Sequence, residues 1–219
     1  MSLLKREEEE EEEIDCDDDY DDENLFSVSG KVVMITGGAK GIGKMITESF
    51  VKRKANKVII CGRNAKDLER VSKELNVGHE EGTCDWIAAD LSTEDGCESL
   101  CVEFKKRYIE LDVLVNNAVS YDSSKAALHH LSLKLADELA PRNITVNVLA
   151  LGFFPTKMTD SLDVYGKDLK EEITKNRLLI KRVGRPSDVA GAAIYLASEA
   201  ASWVTGVVLK VDGGFLSKL

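Results

Sequence analysis

The chain has 219 residues, a formal net charge of −10 and a hydrophobic fraction of 43%. This length allows one ordinary globular domain and a tail, and no apolar run approaches the roughly 20 residues that a membrane helix needs. The acidic N-terminus differs from a secretory signal or a transit peptide, and the five cysteines and three histidines give no metal-ligand pattern.

The first 25 residues form a separate acidic segment. They hold fourteen acidic and two basic side chains and so carry −12, whereas the rest of the chain holds 25 acids and 27 bases and lies near +2. Low hydrophobicity and like charge predict that residues 1–25 are disordered and that residues 26–219 form the folded domain. The domain has no basic stripe for nucleic acid, and its scattered thiols favour a reducing, cytoplasmic compartment.

From residue 26 onward, short apolar runs rich in β-branched residues alternate with segments of helical spacing. The predicted strands span residues 31–36, 57–61, 84–90, 112–118, 144–151 and 207–211. The predicted helices span about 42–55, 64–75, 92–108, 121–139 and 186–198. This alternation predicts an α/β fold in which a doubly wound, Rossmann-like parallel sheet lies between two layers of helices.

The first predicted strand leads into a glycine-rich turn, Thr36-Gly37-Gly38-Ala39-Lys40-Gly41-Ile42-Gly43. Glycines at 37, 41 and 43 let the backbone turn tightly and approach a pyrophosphate closely. The helix that follows presents free N–H groups and the positive end of its dipole. The turn therefore predicts a dinucleotide site that includes Gly37, Lys40, Gly41, Ile42 and Gly43.

The end of the second strand bears on the choice between NAD and NADP. An acid there suits the ribose 2′-hydroxyl of NAD, whereas a cation suits the 2′-phosphate of NADP. The chain has Cys61-Gly62-Arg63 with no acid, and Lys40 adds a second cation from the glycine turn. Because an arginine can grip a phosphate with two hydrogen bonds, the sequence predicts NADP(H) as cofactor.

Residues 26–219 resemble the short-chain dehydrogenase/reductase family in several ordered motifs. The motifs are the glycine turn at 36–43, Asp90-Leu91, Asn116-Asn117-Ala118, Tyr121-x-x-x-Lys125, Gly152-x-x-x-Thr156 and Val211-Asp212-Gly213-Gly214. Within that family the chain looks most like the 3-oxoacyl-carrier-protein reductases. The resemblance implies hydride transfer between NADPH and a small-molecule carbonyl or alcohol, with a 3-oxoacyl thioester as one candidate substrate.

The resemblance also implies roles for individual residues. Asp90 would bind the adenine amino group, Asn117 and Ala118 would line the adenosine, and Thr156 would reach the nicotinamide carboxamide. Leu91 and Gly152 complete the expected cofactor-binding residues.

The catalytic pair would be Tyr121 and Lys125, which also contact the cofactor. Tyr121 would protonate the carbonyl oxygen as hydride arrives, and Lys125 would hold the nicotinamide ribose. The two residues are four apart and so share one face of a helix, where the ammonium favours the phenolate.

The Asn116-Asn117-Ala118 motif lies only two residues before Tyr121. Family members carry a helix and a further strand between these motifs, which supply an asparagine for proton relay and a catalytic serine. The chain is therefore predicted to have one helix and one strand fewer than the family. Two arrangements stay open, since the next strand either pairs directly with the fourth strand or leaves a slot beside it.

Both effects of the gap reduce the expected turnover. Closing the gap would shift the Tyr121 helix by about 4.8 Å, and losing one oxyanion donor typically costs about 100- to 1,000-fold in rate. Three hypotheses stay open: an NADPH-dependent reductase, a catalytically disabled dinucleotide-binding protein, and a shortened isoform. The oligomeric state also stays open. A homo-oligomer is possible, but part of the helix that usually forms the family's dimer face is missing.

Overall fold

A computed structural model of the chain describes residues 24–79, 83–117, 124–156 and 173–216. Its strands are β1 (Val32–Thr36), β2 (Lys57–Gly62), β3 (Cys84–Ala88), β4 (Val113–Val115), β5 (Val148–Leu151) and β6 (Val208–Val211). Its α-helices are α1 (Gly41–Lys52), α2 (Ala65–Asn76), α3 (Glu94–Arg107), α4 (Ser124–Leu139) and α5 (Pro186–Ala197). Short 3-10 turns occupy Ala140–Arg142 and Glu199–Ala201, and a π-helical turn occupies Ile173–Arg177. No helix in these ranges is both long and apolar enough to cross a membrane.

Every described strand pair is parallel. Strand β1 lies between β2 and β4, and β3 lies outside β2, so the four strands form a sheet in the order β3-β2-β1-β4. Strands β5 and β6 pair with each other in a second sheet. The predicted parallel α/β fold with flanking helices is therefore confirmed.

One apolar cluster lies beneath both sheets. Ile35 of β1 and Ile60 of β2 pack in it with Phe50 of α1 and with Val189 and Ile194 of α5. The cluster also takes in partly buried residues of the other strands, namely Val113, Val115, Leu149, Leu151 and Val211. Helices α1 and α5 also pack on each other. This layer of helices therefore joins the two sheets into one body.

A second apolar cluster covers the opposite face of the first three strands. Met34 of β1 and Ile59 and Cys61 of β2 face Leu100 and Phe104 of α3. Successive residues of β1 and β2 thus point to opposite faces, and both faces are buried. This double burial explains why the strands are continuous apolar runs rather than alternating ones.

The sequence leaves two arrangements possible, in which β5 either pairs with β4 or leaves a slot beside it. The structure has the slot. Within the described ranges β4 pairs only with β1, and β5 pairs only with β6. Closing the gap would slide β5, β6 and α5 by about one strand spacing, roughly 4.8 Å, across α1. The few ladder hydrogen bonds gained would contribute about 1 kcal/mol each, whereas each large side chain lifted from the core costs about 1.5–3 kcal/mol. Packing of α5 on α1 therefore outweighs pairing of β4 with β5.

The ends of several elements differ from the prediction. Strand β5 begins at Val148 rather than at residue 144, because a 3-10 turn and Asn143, in left-handed conformation with φ 57°, come before it. Strand β4 is only three residues long, and the Asp112 carboxylate beside it accepts the backbone N–H of Val32 at 2.6 Å. Helix α4 is described from Ser124 onward, so Tyr121 lies outside the described residues.

The first described residues pack on the domain. The carbonyl of Leu25 accepts a hydrogen bond from the N–H of Ala200 at 3.0 Å. The ring of Phe26 lies 6.4 Å from that of Tyr195 in α5, measured between ring centroids. Leu25 and Phe26 therefore contact the rest of the domain, and the division of the chain into an acidic tail and a domain stays a prediction.

Deletion of residues 1–23 is expected to leave the Tm of the domain nearly unchanged, because their fourteen acids repel one another and offer little to bury. Deletion of residues 1–26 removes the Leu25 and Phe26 contacts as well. Since 1 kcal/mol shifts the Tm of a domain of this size by about 2–4 °C, the longer deletion should lower it by several degrees. A similar fall for both deletions in a thermal melt would show that the acidic tail itself packs on the domain.

Candidate cofactor site

The glycine turn connects β1 to α1 at the carboxyl end of the sheet. The N–H of Gly37 donates to the carbonyl of Cys61 at 2.7 Å, which fixes the start of the turn on β2. Gly37 and Gly41 have φ values of 66° and 51°, in the left-handed region that residues with a Cβ avoid. The backbone therefore reverses over residues 37–41 and delivers the N-terminus of α1 to the sheet edge.

The N-terminus of α1 differs from those of three other helices. Asn64 caps α2 with its side chain, Thr93 caps α3, and in α5 the Asp188 carboxylate accepts the N–H of Arg185 at 2.7 Å. Helix α1 has neither a side-chain cap from Lys40 nor an acid in its first turn. Its first N–H groups and its positive dipole end thus suit an external anion.

Gly43 lies where no side chain fits. A Cβ at this position would come within 2.3 Å of the carbonyl oxygen of Gly37 and within 2.6 Å of Nδ2 of Asn117. The Thr47 hydroxyl lies 3.0 Å from the carbonyl of Gly38 and 2.8 Å from that of Gly43, and it donates its single hydrogen between them. The glycine turn and the N-terminal residues of α1 are thus closely packed against each other.

Asn117, which follows β4, holds the other side of the turn. Its backbone N–H donates to the Thr36 hydroxyl at 2.8 Å, and its side-chain amide donates to the Thr36 carbonyl at 3.0 Å. The donors of this predicted adenosine residue are thus engaged by β1, and its amide group supports the turn beside Gly43. Ala118, its predicted neighbour in the site, lies outside the described residues.

The segment after β5 reaches the same turn from the second sheet. Gly152 donates its N–H to the Val211 carbonyl at 3.0 Å, and a Cβ on it would lie 2.6 Å from the Cα of Asp212. Thr156 then lies beside Gly41, with its methyl carbon 3.6 Å from the point that a Cβ on Gly41 would occupy. The structure therefore brings Gly41, Gly43, Asn117 and Thr156 together, although they come from both sheets.

The predicted phosphate cation Lys40 is already engaged. Its ammonium lies 2.5 Å from Oδ2 of Asp67, a residue in the first turn of α2. Sequence reasoning examined only the end of β2 for an acid and so missed Asp67. The available signal was the Asn64 cap, which starts α2 and places the residue three positions later at the same sheet edge.

Arg63 and Asp90 lie on the adenosine side of the predicted site. Arg63 follows β2 and is exposed, and within the described ranges it forms no ion pair. The Oδ1 atom of Asp90 accepts the hydroxyl and the N–H of Ser92 at 2.7 and 3.1 Å. These hydrogen bonds, aided by the charge of Arg63, lower the pKa of Asp90 below its ordinary value. Asp90 therefore stays ionised as an acceptor at neutral pH, and Leu91 follows it before α3.

The predicted catalytic pair is described only in part. The backbone of Lys125 lies in the first turn of α4, one residue after its start at Ser124. Tyr121 lies outside the described residues, so the geometry of the pair stays a prediction.

A cavity of about 310 Å³ opens on the β6 side of the second sheet. Its walls include Phe153, Phe154 and Ile180 and the ion pair of Arg182 with Asp188, whose closest atoms are 2.6 Å apart. It is lined by none of the residues that the sequence predicts for the cofactor or for catalysis.

Two family models match the chain in tandem. The model described as short chain dehydrogenase matches residues 31–120, and the model described as Enoyl-(Acyl carrier protein) reductase matches residues 118–216. The two matches meet at residues 118–120, at the junction where the sequence motifs lie unusually close.

Individual relatives match nearly along their full length. The rhamnolipids biosynthesis 3-oxoacyl-[acyl-carrier-protein] reductase of Pseudomonas aeruginosa is 30% identical over 256 positions, covering 87% of this chain and 98% of the relative. The 7alpha-hydroxysteroid dehydrogenase of Escherichia coli is 28% identical, covering 91% and 99%. The solved Pseudomonas aeruginosa RhlG/NADP active-site complex superposes with a TM-score of 0.78 at 30% identity, covering 88% and 98%.

The alignment with the Pseudomonas aeruginosa reductase is longer than the part of this chain that it covers. Since 87% of 219 residues is about 190 residues, roughly 65 of the 256 aligned positions of the Pseudomonas aeruginosa reductase have no counterpart in this chain. This number of unmatched positions is enough for a helix and a strand with their connections, and the two family matches meet at residues 118–120.

Proposed function

Because the chain belongs to the short-chain dehydrogenase/reductase family of oxidoreductases, we propose that it binds NADP(H) at the glycine turn and acts on a small-molecule carbonyl or alcohol. The observation that carries this proposal is the uncapped, acid-free N-terminus of α1, which follows a turn with no room for a Cβ at Gly43. The diphosphate of a dinucleotide provides the anion that such a helix end binds. Gly37, Gly41, Ile42 and Gly43 would hold that diphosphate.

The preference for NADP(H) rests mainly on Arg63. Its exposed guanidinium follows β2 at the same edge as the glycine turn, and it can bind a 2′-phosphate with two hydrogen bonds. Lys40 contributes less than its position in the sequence suggests, since Asp67 already neutralises it. The solved Pseudomonas aeruginosa relative is a complex with NADP, which supports the same choice.

The remaining residues of the proposed site position the reactants. The bound cofactor supplies hydride, and Thr156, beside Gly41, would orient its carboxamide. The Tyr121 phenol would donate its proton to the carbonyl oxygen of the substrate, and the Lys125 ammonium would favour the phenolate that remains. Asp90 would accept the adenine amino group on the opposite side of the site. A 3-oxoacyl thioester is the substrate class that the reductase relatives favour.

A second candidate function is that of a dinucleotide-binding protein with disabled catalysis. The open slot between β4 and β5 favours it, because the strand that family members have there carries the catalytic serine. The two candidates share the cofactor site and differ only in turnover. A shortened isoform would behave as the second candidate.

We also propose a cytoplasmic location and small-molecule rather than nucleic-acid partners. The four cysteines in the described part of the chain, Cys61, Cys84, Cys97 and Cys101, are free thiols, which suits a reducing compartment. Self-association of the chain stays a hypothesis.

Substitution of Arg63 by alanine is expected to remove most of the preference for NADPH over NADH. A charge-assisted bidentate contact contributes on the order of 1.5–3 kcal/mol, so NADPH affinity should fall about 10- to 100-fold while NADH affinity changes little. Calorimetric titration of both cofactors measures this, with Arg53→Ala at the opposite end of α1 as the matched control. Equal affinity of the wild-type protein for the two cofactors would refute the assignment.

A further inference from the structure

The space between Val113–Val115 of β4 and Val148–Leu151 of β5, here called the strand slot, is bordered by two strands that run in the same direction. Asn117, after β4, packs at Gly43, and Thr156, after β5, packs at Gly41, so both strands point their carboxyl ends at the glycine turn. Within the described ranges, neither strand has a partner on the side that faces the slot.

The backbone groups of β4 that face the slot follow from the hydrogen bonds on its other side. In the register of β1 with β4, Met34 lies opposite Leu114, so the backbone groups of Val113 and Val115 pair with β1. The Val115 carbonyl oxygen also lies 3.5 Å from the Thr36 hydroxyl. Since the N–H and C=O groups of alternate residues point to the same side of a strand, those of Leu114 point away from β1 into the slot.

The same reasoning applies to β5. The N–H groups of Val148 and Gly152 donate to the carbonyls of Val207 and Val211 at 2.9 and 3.0 Å. The backbone groups of Leu149 and Leu151 therefore point away from β6 into the slot. Leu114 on one border and Leu149 and Leu151 on the other thus each present a donor and an acceptor, with which one inserted parallel strand can pair.

The slot has an apolar floor, and we infer from a longer relative that it is one strand wide. Val115 of β4 and Leu149 of β5 pack on the same cluster, whose centre is formed by α1 and α5. The two halves superpose together on the Pseudomonas aeruginosa complex with a TM-score of 0.78 over 98% of that chain, so β5 keeps its place in the longer relative. A displacement by one strand spacing, about 4.8 Å, would have moved the whole second sheet with α5. On the face opposite the floor, Leu114 is 55% exposed beside the slot.

The parts of the chain outside the described ranges do not have the composition of the missing strand. A strand buried on both faces is a nearly continuous apolar run. None of the segments 1–23, 80–82, 118–123, 157–172 and 217–219 contains three consecutive apolar residues. The segment that adjoins β4, residues 118–123, is only six residues long and must also lead into α4.

From these observations we propose that the strand slot is a binding site for an extended apolar segment of a second polypeptide, which enters as a strand parallel to β4 and β5. The segment is about five residues long and rich in β-branched side chains. Its backbone pairs with Leu114, Leu149 and Leu151, and its side chains pack on the apolar floor and beside the Leu114 side chain. This mode of recognition takes its affinity from main-chain hydrogen bonds and its selectivity from alternate side chains.

The probe is a synthetic peptide with the sequence that the Pseudomonas aeruginosa reductase has as the strand opposite residues 118–120, labelled for fluorescence anisotropy. We expect saturable binding to the full chain, and none of a peptide with the same residues in scrambled order. Leu114→Arg places a charge beside the bound segment and should weaken binding at least about tenfold. Val102→Arg is the matched control, because Val102 on α3 is 54% exposed and lies away from the slot. It should leave binding unchanged.

Residue-resolved amide exchange locates the binding. The N–H groups of Leu114, Leu149 and Leu151 should exchange rapidly in the free protein and at least about tenfold more slowly with the peptide bound. The N–H groups of β2 should not change. Slow exchange of these three amides in the free protein would mean that the chain itself fills the slot, and failure of the peptide to bind would mean that the slot is closed. Either result overturns the proposal, and neither depends on NADPH or on turnover.

Discussion

Replacing Gly43 with alanine is expected to weaken NADPH binding by about 10- to 100-fold and to lower the Tm of the protein. The added Cβ would lie 2.3 Å from the Gly37 carbonyl oxygen and 2.6 Å from the Asn117 amide nitrogen. Neither neighbour can move alone, because Asn117 is hydrogen-bonded to both the hydroxyl and the carbonyl of Thr36. Overpacking of this kind costs about 1–3 kcal/mol, and relief requires α1 to move away from the turn that would bind the diphosphate.

Gly62→Ala is the matched control for this substitution. Gly62 ends β2 at the same edge of the sheet, and a Cβ on it would meet nothing within 4 Å. Calorimetry should find NADPH affinity unchanged in this variant. If Gly43→Ala also retained full affinity, the diphosphate would not bind against the N-terminus of α1.

Carbonyl reduction by the wild-type chain is expected to be at least about 100-fold slower than reduction by a relative that keeps the missing segment. This factor is the low end of the rate loss that follows when one oxyanion donor is removed, and the missing donor here is the serine on the absent strand. The further penalty that a closed gap would bring does not apply, because among the described strands β4 does not pair with β5, and α5 stays packed on α1. The assay is NADPH oxidation with a panel of 3-oxoacyl thioesters and small ketones.

Grafting tests the cause of the loss. Insertion of the helix and strand of the Pseudomonas aeruginosa reductase between Ala118 and Tyr121 should raise turnover at least about 100-fold. Tyr121→Phe should abolish that gain in the grafted chain but change the residual rate of the wild-type chain little. Brisk wild-type turnover that collapses in Tyr121→Phe would contradict the account and would indicate a local donor such as Ser120 in place of the missing serine.

The sequence predicts those features that local chemistry determines. Runs such as 31–36 and 57–61 are apolar on both faces, and they form the buried strands β1 and β2. The glycine pattern at 37, 41 and 43 predicts a turn. Gly37 and Gly41 have positive φ values, and Gly43 has no room for a Cβ, so each position requires glycine. Asn64 caps α2 where the sequence predicts the second helix to begin.

Features that depend on contacts between distant elements could not be predicted. Whether β5 pairs with β4 depends on how α5 packs on α1, and no pattern within β4 or β5 reports that packing. The pairing of Lys40 with Asp67 joins a turn to a helix 27 positions further along the chain. Asn117 was expected to line the adenosine, yet its donors are engaged by Thr36, because the fold sets the two side by side.

Calorimetric titration of the full wild-type chain with NADPH tests most directly the claim that the cofactor site survives the loss of a strand and a helix. The account predicts saturable binding of one NADPH per chain, with NADH bound more weakly, even where carbonyl reduction is barely measurable. Absence of binding by either cofactor to the folded protein would contradict it, because the glycine turn, α1 and Thr156 would then fail to form a dinucleotide site.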